Sequence, residues 1–231
     1  MKIAVTGANR GLGLELVRFF LSQGHQTFAL ARNESLALKE LAEEYQTGFH
    51  YFKMDVTDEA EIWNAAINIE KALGELDLLV NNAAVFPEFP GKDIEELDLS
   101  TYLPTFDVNS LGPLRVVKHF LTLLRKGKEK RIVNISSEAG SIAKSWRDCD
   151  YSYCMSKAAL NMATTILLNR LGKEGFCFRL IHPGWFSSEM GGSGAPITPM
   201  QSAQKVGAIA VGVWNENDPL FMDLDRKRWD W

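Results

Sequence analysis

Short apolar runs alternate with longer amphipathic stretches along all 231 residues, and this alternation predicts an α/β fold. The expected architecture is a doubly wound parallel sheet of about seven strands with helices on both faces. A second observation fixes the sheet type: most of the apolar runs are continuous rather than alternating, as in parallel strands buried on both sides. A third is the punctuation, since Gly24, Gly48, Gly74, Gly127 and Gly175 fall where the helices should stop. Strands are expected over residues 2–6, 27–31, 49–53, 76–80, 131–135, 177–181 and 220–222. Helices are expected over 12–23, 35–45, 59–73, 105–125, 153–173 and 201–214. No repeat, low-complexity tract or linker interrupts this order, so residues 1–231 read as a single domain. The glycine-rich stretch 191–199 has the most flexible composition and is expected to order when a ligand binds.

Composition narrows the function classes. With 46% hydrophobic and 23% charged residues, a chain of this length can bury roughly 70–75% of its unfolded surface without staples. The net charge of −4, from 25 basic and 29 acidic side chains mixed along the chain, argues against nucleic acid as a partner. The apolar runs are far shorter than a membrane span, and Met1-Lys2 leads straight into the first strand without a leader. A cytoplasmic protein is expected. Three cysteines (Cys149, Cys154, Cys177) cannot all pair and form no CxxC or Cys/His cluster, which points to reduced thiols and to no metal site.

The first strand is followed by Gly7-Ala8-Asn9-Arg10-Gly11-Leu12-Gly13 and then a helix. Glycines at such a turn let backbone N–H groups approach a pyrophosphate at the helix N-terminus, where the dipole favours an anion. The spacing is GxxxGxG, and its place in the first βα unit makes this a Rossmann-type dinucleotide site. The second strand ends in Ala31-Arg32 instead of the acidic residue that would hold a ribose 2′-OH. Arg10 is a solvated loop cation or faces the adenosine end of a dinucleotide. Two arginines would hold a 2′-phosphate through charge-assisted bonds of roughly 1.5–3 kcal/mol each, so NADP(H) is expected over NAD(H).

Tyr153 and Lys157 lie four residues apart at a helix start, hence on one face. A lysine ammonium nearby, together with the positive charge of an oxidised nicotinamide, should depress the phenol pKa and make tyrosine a usable acid–base group near neutral pH. Tyr151 lacks this partner, because its +4 residue is Met155. Ser136-Ser137 follows the fifth strand at the carboxyl edge, either as a capping pair or as a hydroxyl for a substrate carbonyl. Asn81-Asn82-Ala83-Ala84 follows the fourth strand, where asparagines also serve as ordinary turn formers. Asn109 sits inside a helical pattern, a mildly unfavourable place for it.

In order, TGANRGLG at 6–13, NNAA at 81–84, Asn109, Ser137, YCMSK at 153–157 and HPGWFSSEM at 182–190 resemble the short-chain dehydrogenase/reductase family. The resemblance covers nearly the whole chain and its compact, single-domain branch. Within that branch the chain looks like small carbonyl-reductase and C-factor-like members. It implies that Tyr153 is the acid/base, that Ser137 orients the carbonyl, and that Lys157 tunes the phenol and holds the nicotinamide ribose. Asn109 would hold a proton-relaying water. Gly7, Asn9, Arg10, Gly11 and Leu12 would cradle the pyrophosphate, with Arg32 at the 2′-phosphate. Asp55 and Val56 would meet the adenine, Asn82 and Ala83 its ribose, and Pro183, Gly184, Phe186 and Ser188 the nicotinamide.

The implied activity is NADP(H)-dependent hydride transfer to or from a small carbonyl or alcohol. A non-catalytic NADPH sensor or signalling protein of C-factor-like type and a 3-oxoacyl-carrier reductase share these motifs. The chain departs from the family in having Ala84 for glycine, Ser188 for threonine, and Ser137 and Tyr153 sixteen positions apart. The longer loop at 144–150 carries Trp146, Arg147 and Asp148; with Phe86, Phe89 and Trp185 it suggests an apolar, aromatic-lined pocket. The family pairs through the helices expected at 105–125 and 153–173, implying a homodimer or homotetramer. Leu121, Leu124, Ile166 and Leu167 serve either that face or the core.

Overall fold

The computed structural model describes residues 1–86, 93–215 and 217–231. Seven strands form one sheet: β1 (Lys2–Thr6), β2 (Gln26–Ala31), β3 (Phe49–Lys53), β4 (Leu78–Asn81), β5 (Arg131–Ile135), β6 (Cys177–Ile181) and β7 (Phe221–Met222). Their order is β3-β2-β1-β4-β5-β6-β7, and every pairing is parallel. The doubly wound sheet expected from the sequence is therefore present.

Side-chain alternation in β1 divides the core. Ile3 and Val5 join Leu16, Val17 and Phe20 of α1 (Gly11–Ser22) and Val206 and Ile209 of α7 (Pro199–Val211). Ala4 faces the other layer, with Ile62 and Ile69 of α3 (Glu59–Leu73) and Val116 and Phe120 of α5 (Gly112–Lys126). Each fully buried phenylalanine or leucine contributes about 1.5–3 kcal/mol of transfer free energy. Leu121, Leu124 and Leu167 belong to this second layer, whereas Ile166 is exposed.

Capping explains several boundaries. Ser35 accepts the Leu38 N–H and opens α2 (Leu36–Glu44); Asp58 accepts the N–H groups of Ala60 and Glu61 at the start of α3. Thr198 and Gln201 form a reciprocal capping box, so α7 begins at Pro199, two residues ahead of the expected 201, and ends at Val211 rather than 214. Strand β4 begins at Leu78 instead of 76. Asp77, just before it, binds the backbone N–H groups of Lys2 and Lys128 with its carboxylate.

The helix expected over 105–125 is three pieces. A short α4 (Tyr102–Phe106) passes through a π-turn at Asp107–Leu111 into α5. Pro113 has no N–H to continue the regular ladder, and the buried Asn109 lies in the widened turn. The helix expected from 153 starts at Tyr151: α6 spans Tyr151–Leu171 behind Asp150, whose φ of 60° turns the chain sharply. Among the described residues no helix is long and apolar enough to cross a membrane.

Candidate active site

Because all strands run the same way, the segments after β1, β4, β5 and β6 gather at one edge. The glycine-rich turn after β1 is fastened from below. Thr6 Oγ1 accepts the N–H groups of Asn82 and Ala83 at 3.0 and 3.1 Å, while Asn82 Nδ2 donates to the carbonyls of Thr6 and Gly7 at 3.0 and 3.2 Å. Gly7, at φ 66°, lies so close that a Cβ would sit 2.8 Å from Ala83 Cα. Gly11 instead faces open space. Arg10, the N-cap of α1, makes no side-chain cap, and the first turn carries no acidic residue. An open glycine face at an uncapped helix N-terminus suits a phosphate anion, which is what a dinucleotide presents there.

The Ala8 N–H donates to Leu30 O at 3.2 Å, which sets the turn beside the end of β2, where Arg32 is exposed. Arg10 forms an ion pair with Glu189 from the segment after β6, both side chains well exposed. Asp55 Oδ1 accepts both the N–H and the hydroxyl of Thr57, and Val56 packs under Gly112. Asn9 and Leu12 lie in the turn and the first turn of α1. Ala84 is not among the described non-glycine residues with positive φ, so its methyl group costs nothing.

Beyond β6, Gly184 has φ 74°. Phe186 bridges to Ile197, Ser187 N–H donates to Ile197 O, and Ser188 Oγ accepts the Gly191 N–H at 2.8 Å. Trp185 Nε1 donates to Gly191 O. Hydroxyl and backbone groups close the turns of the stretch expected to order with a ligand.

At the centre, Tyr153 and Lys157 share one face of α6, with the Lys157 ammonium 5.6 Å from the Tyr153 ring centre. Phe86 meets Tyr153 edge-on at 4.8 Å. Phe89 and most of the expected loop at 86–93 lie outside the described residues. Lys157 is 2% exposed, and burial lowers its pKa to about 8; its ammonium donates to Ile135 O at 2.9 Å. The Tyr153 phenol is pushed up to about 12, by burial first, with Ser137 opposing and Glu138 reinforcing the rise. The expected lowering draws on the positive charge of an oxidised nicotinamide as well as on Lys157, and the protein's own groups alone leave the phenol raised. Burial is the largest cause, and the Lys157 ammonium is engaged by the Ile135 carbonyl.

Asn109 is 1% exposed. Its Oδ1 accepts the Val85 N–H, and its Nδ2 donates to Val85 O and Ser156 Oγ. The side chain thus ties the segment after β4 to α6. Ser136 and Ser137 divide their work: Ser136 Oγ donates to Asn161 Oδ1 at 2.6 Å in the interior, and Ser137 Oγ meets Glu138 Oε2 at 2.5 Å.

A family model described as short chain dehydrogenase matches residues 1–196. The chain belongs to the short-chain dehydrogenase family. It is 35% identical to the C-signal protein of Myxococcus xanthus over 158 residues, 68% of this chain and 94% of that one. The carbonyl reductase Sniffer of D. melanogaster superposes with a TM-score of 0.92 at 30% identity, covering 100% of this chain and 99% of its own. An NADPH-bound carbonyl reductase from chicken fatty liver gives 0.90 at 29%, covering 100% and 98%. The fold is thus that of a nicotinamide-dependent oxidoreductase family.

This short-chain dehydrogenase holds further contacts near the site that sequence reasoning did not foresee, although Arg147 stood out in the 144–150 loop. Arg147 donates to Glu138 Oε1 and to Asp150 Oδ2, each at 2.6 Å. Burial raises the Glu138 carboxyl, but bonds from Arg147 and Ser137 outweigh it and hold the pKa below its usual value. His182 Nδ1 accepts the Glu138 N–H at 3.3 Å, and burial lowers its pKa, so the ring is neutral. Trp229 packs on His182 at 5.3 Å, and the Lys144 ammonium lies 5.0 Å from the Trp229 ring centre. Ser141 Oγ donates to Asp230 O and Ala143 N–H to Trp231 O, binding the segment after β5 to residues 229–231. Contacts of this kind join residues far apart in sequence and carry no short motif; only the length of the 144–150 loop hinted at them.

Proposed function

We propose that this chain is an NADPH-dependent reductase of a small ketone or aldehyde, with Tyr153 as the proton donor. The observation that carries the reading is the convergence of Ser137, Tyr153 and Lys157 at the carboxyl edge, beside an open glycine cradle. When bound, the nicotinamide supplies the hydride. The chain's own residues do the rest. Gly11 and the N-terminus of α1 receive the pyrophosphate. Arg32, at a strand end without a carboxylate, favours a 2′-phosphate, and Arg10 joins it by leaving its exposed pair with Glu189, which is worth at most about 1 kcal/mol. Asp55 and Val56 border the adenine, Asn82 and Ala83 its ribose, and Pro183, Gly184, Phe186 and Ser188 the nicotinamide.

Ser137 positions the carbonyl oxygen, and Tyr153 gives its phenolic proton to the developing alkoxide. Such a phenol, protonated through the neutral range, is a donor matched to a far more basic oxygen. Lys157 returns a proton toward Tyr153 with a pKa near 8, close to working pH. Asn109 sustains this path by fixing α6 against the segment after β4. The exposed Tyr151, Met155, Met162 and Ile166 of α6, with Leu103 and Leu111, support pairing of copies as a homodimer or homotetramer. We place this single-domain protein in the cytoplasm.

The test is NADPH oxidation against a panel of aldehydes and ketones, beside Tyr153→Phe at matched concentration. Turnover that depends on Tyr153, with NADPH binding retained in the variant, is expected. Equal turnover by Tyr153→Phe refutes the proton-donor role. Tight NADPH binding without turnover moves the chain to the class of non-catalytic NADPH-binding proteins.

A further inference from the structure

Glu138 stands directly against the hydroxyl that the proposed reaction needs. A carboxylate has no proton to offer, and Arg147 at 2.6 Å keeps Glu138 ionised. In the 2.5 Å contact between Ser137 Oγ and Glu138 Oε2 the shared proton is therefore that of Ser137. One lone pair of the same oxygen already accepts the Ala139 N–H at 3.2 Å. A carbonyl oxygen also has no proton, so it can meet Ser137 only through the proton that Glu138 holds. The carboxylate is itself fixed. Arg147 is anchored a second time by Asp150, and the Glu138 backbone N–H donates to His182 Nδ1, 3.7 Å from Oε2. From α6, the Tyr153 phenol also faces it.

We infer that Glu138 is a positioning residue that sets the direction of the Ser137 proton, holding it away from the carbonyl site until a substrate displaces the bond. The inference rests on the reading of Ser137 as the carbonyl-orienting hydroxyl. It involves no proton transfer between heavy atoms, only rotation of the Ser137 O–H from one acceptor to the other.

Glu138→Gln reverses the arrangement. Arg147 offers donors alone, so it takes the amide oxygen and turns the amide N–H₂ toward Ser137 Oγ. Ser137 then accepts from residue 138, and its proton is no longer held by a carboxylate, so the substrate competes for it with the neutral Tyr153 oxygen alone. Losing a charge-assisted competitor raises kcat/KM by about tenfold. The experiment measures NADPH-dependent reduction of 4-nitrobenzaldehyde by the wild type, Glu138→Gln, Ser137→Ala and the double variant. The expected result is a gain in Glu138→Gln that vanishes in the Ser137→Ala background. An unchanged or lower kcat/KM in Glu138→Gln, or a gain that persists without Ser137, overturns the inference. A second readout uses the cofactor-free protein. The NMR titration midpoint of His182 should fall in Glu138→Gln, which lacks the neighbouring negative charge; an unmoved midpoint places the carboxylate elsewhere and also overturns it. Tyr153→Phe separates the two levels. If that variant turns over like the wild type, the reading of the site fails and takes this inference with it. Tyr153-dependent turnover without a Glu138→Gln gain removes the inference alone.

Discussion

Replacing Gly13 by alanine should destabilise this protein, although alanine is the better helix former. Gly13 is the third residue of α1, and in an ordinary helix the exchange would gain up to about 1 kcal/mol. Here a Cβ would lie 2.2 Å from the Gly7 carbonyl oxygen and 2.5 Å from Asn82 Nδ2. The first of these atoms is backbone, inside a turn held by Thr6 and Asn82, and it cannot rotate away. Overpacking of this kind costs about 3 kcal/mol, which leaves a net loss of about 2 kcal/mol. For a chain of this length that lowers the melting temperature by roughly 4–8 °C. Gly11→Ala is the control: a Cβ there meets nothing within 4 Å, so the cost is the left-handed backbone strain of about 1–2 kcal/mol. Because Gly11 faces the open cradle, its variant should lose NADPH affinity out of proportion to its stability. Differential scanning fluorimetry and NADPH fluorescence titration of both variants decide the matter. A Gly13→Ala protein that melts at or above the wild type would refute the reasoning.

Two further outcomes follow from the same geometry. Arg32→Asp should shift the ratio of NADPH to NADH affinity toward NADH by at least about tenfold, the worth of one charge-assisted phosphate bond; an unmoved ratio removes Arg32 from the phosphate site. Lys157→Met should abolish turnover yet raise stability at pH 7. Lowering a buried lysine from 10.5 to about 8 costs the fold about 3 kcal/mol, offset in part by the lost bond to Ile135 O, for a net gain of about 1–2 kcal/mol. In the wild type the unfolded chain keeps this proton up to its higher pKa, so stability rises between pH 8 and 10.5 as the folded lysine deprotonates. The Tyr153 contribution runs the other way, falling as pH passes from 10 to 12. Urea unfolding at pH 7 and pH 9 should show the advantage of the variant shrinking by about 1 kcal/mol at the higher pH; a constant difference contradicts the buried-lysine account.

The sheet was legible because its order is written in local periodicity: α3 and strands β1, β3, β5 and β6 fall on the expected residues. What escaped was set by groups distant in sequence. The π-turn at Asp107–Leu111 arises where Asn109 must reach Val85 and Ser156, and a helical pattern contains no sign of that reach. The Tyr153–Lys157 pair was readable as a spacing, but its electrostatics were not, since burial and the Ile135 carbonyl decide them. Asn82 appeared as a turn former beside a ribose, whereas its side chain secures the glycine turn itself. Glu138 is an unremarked acid until Arg147 and Ser137 are seen on either side of its carboxylate.

The contacts that Ser141 and Ala143 make with residues 230 and 231 bear on the timing of assembly. The glycine turn and β1 leave the ribosome ahead of β4, β5 and β6, and the sheet can grow as later strands arrive. The strip carrying Ser137 and Glu138 follows β5; Arg147, Asn161 and His182 hold it as they emerge, and its last ties form when Trp229 reaches His182 and the chain beyond it reaches Ser141 and Ala143. At a synthesis rate of about 5–20 residues per second, that leaves a delay of several seconds during which the strip lacks its ties to residues 229–231. A nascent chain would thus complete the turn after β1 well before the strip after β5 gains its last ties.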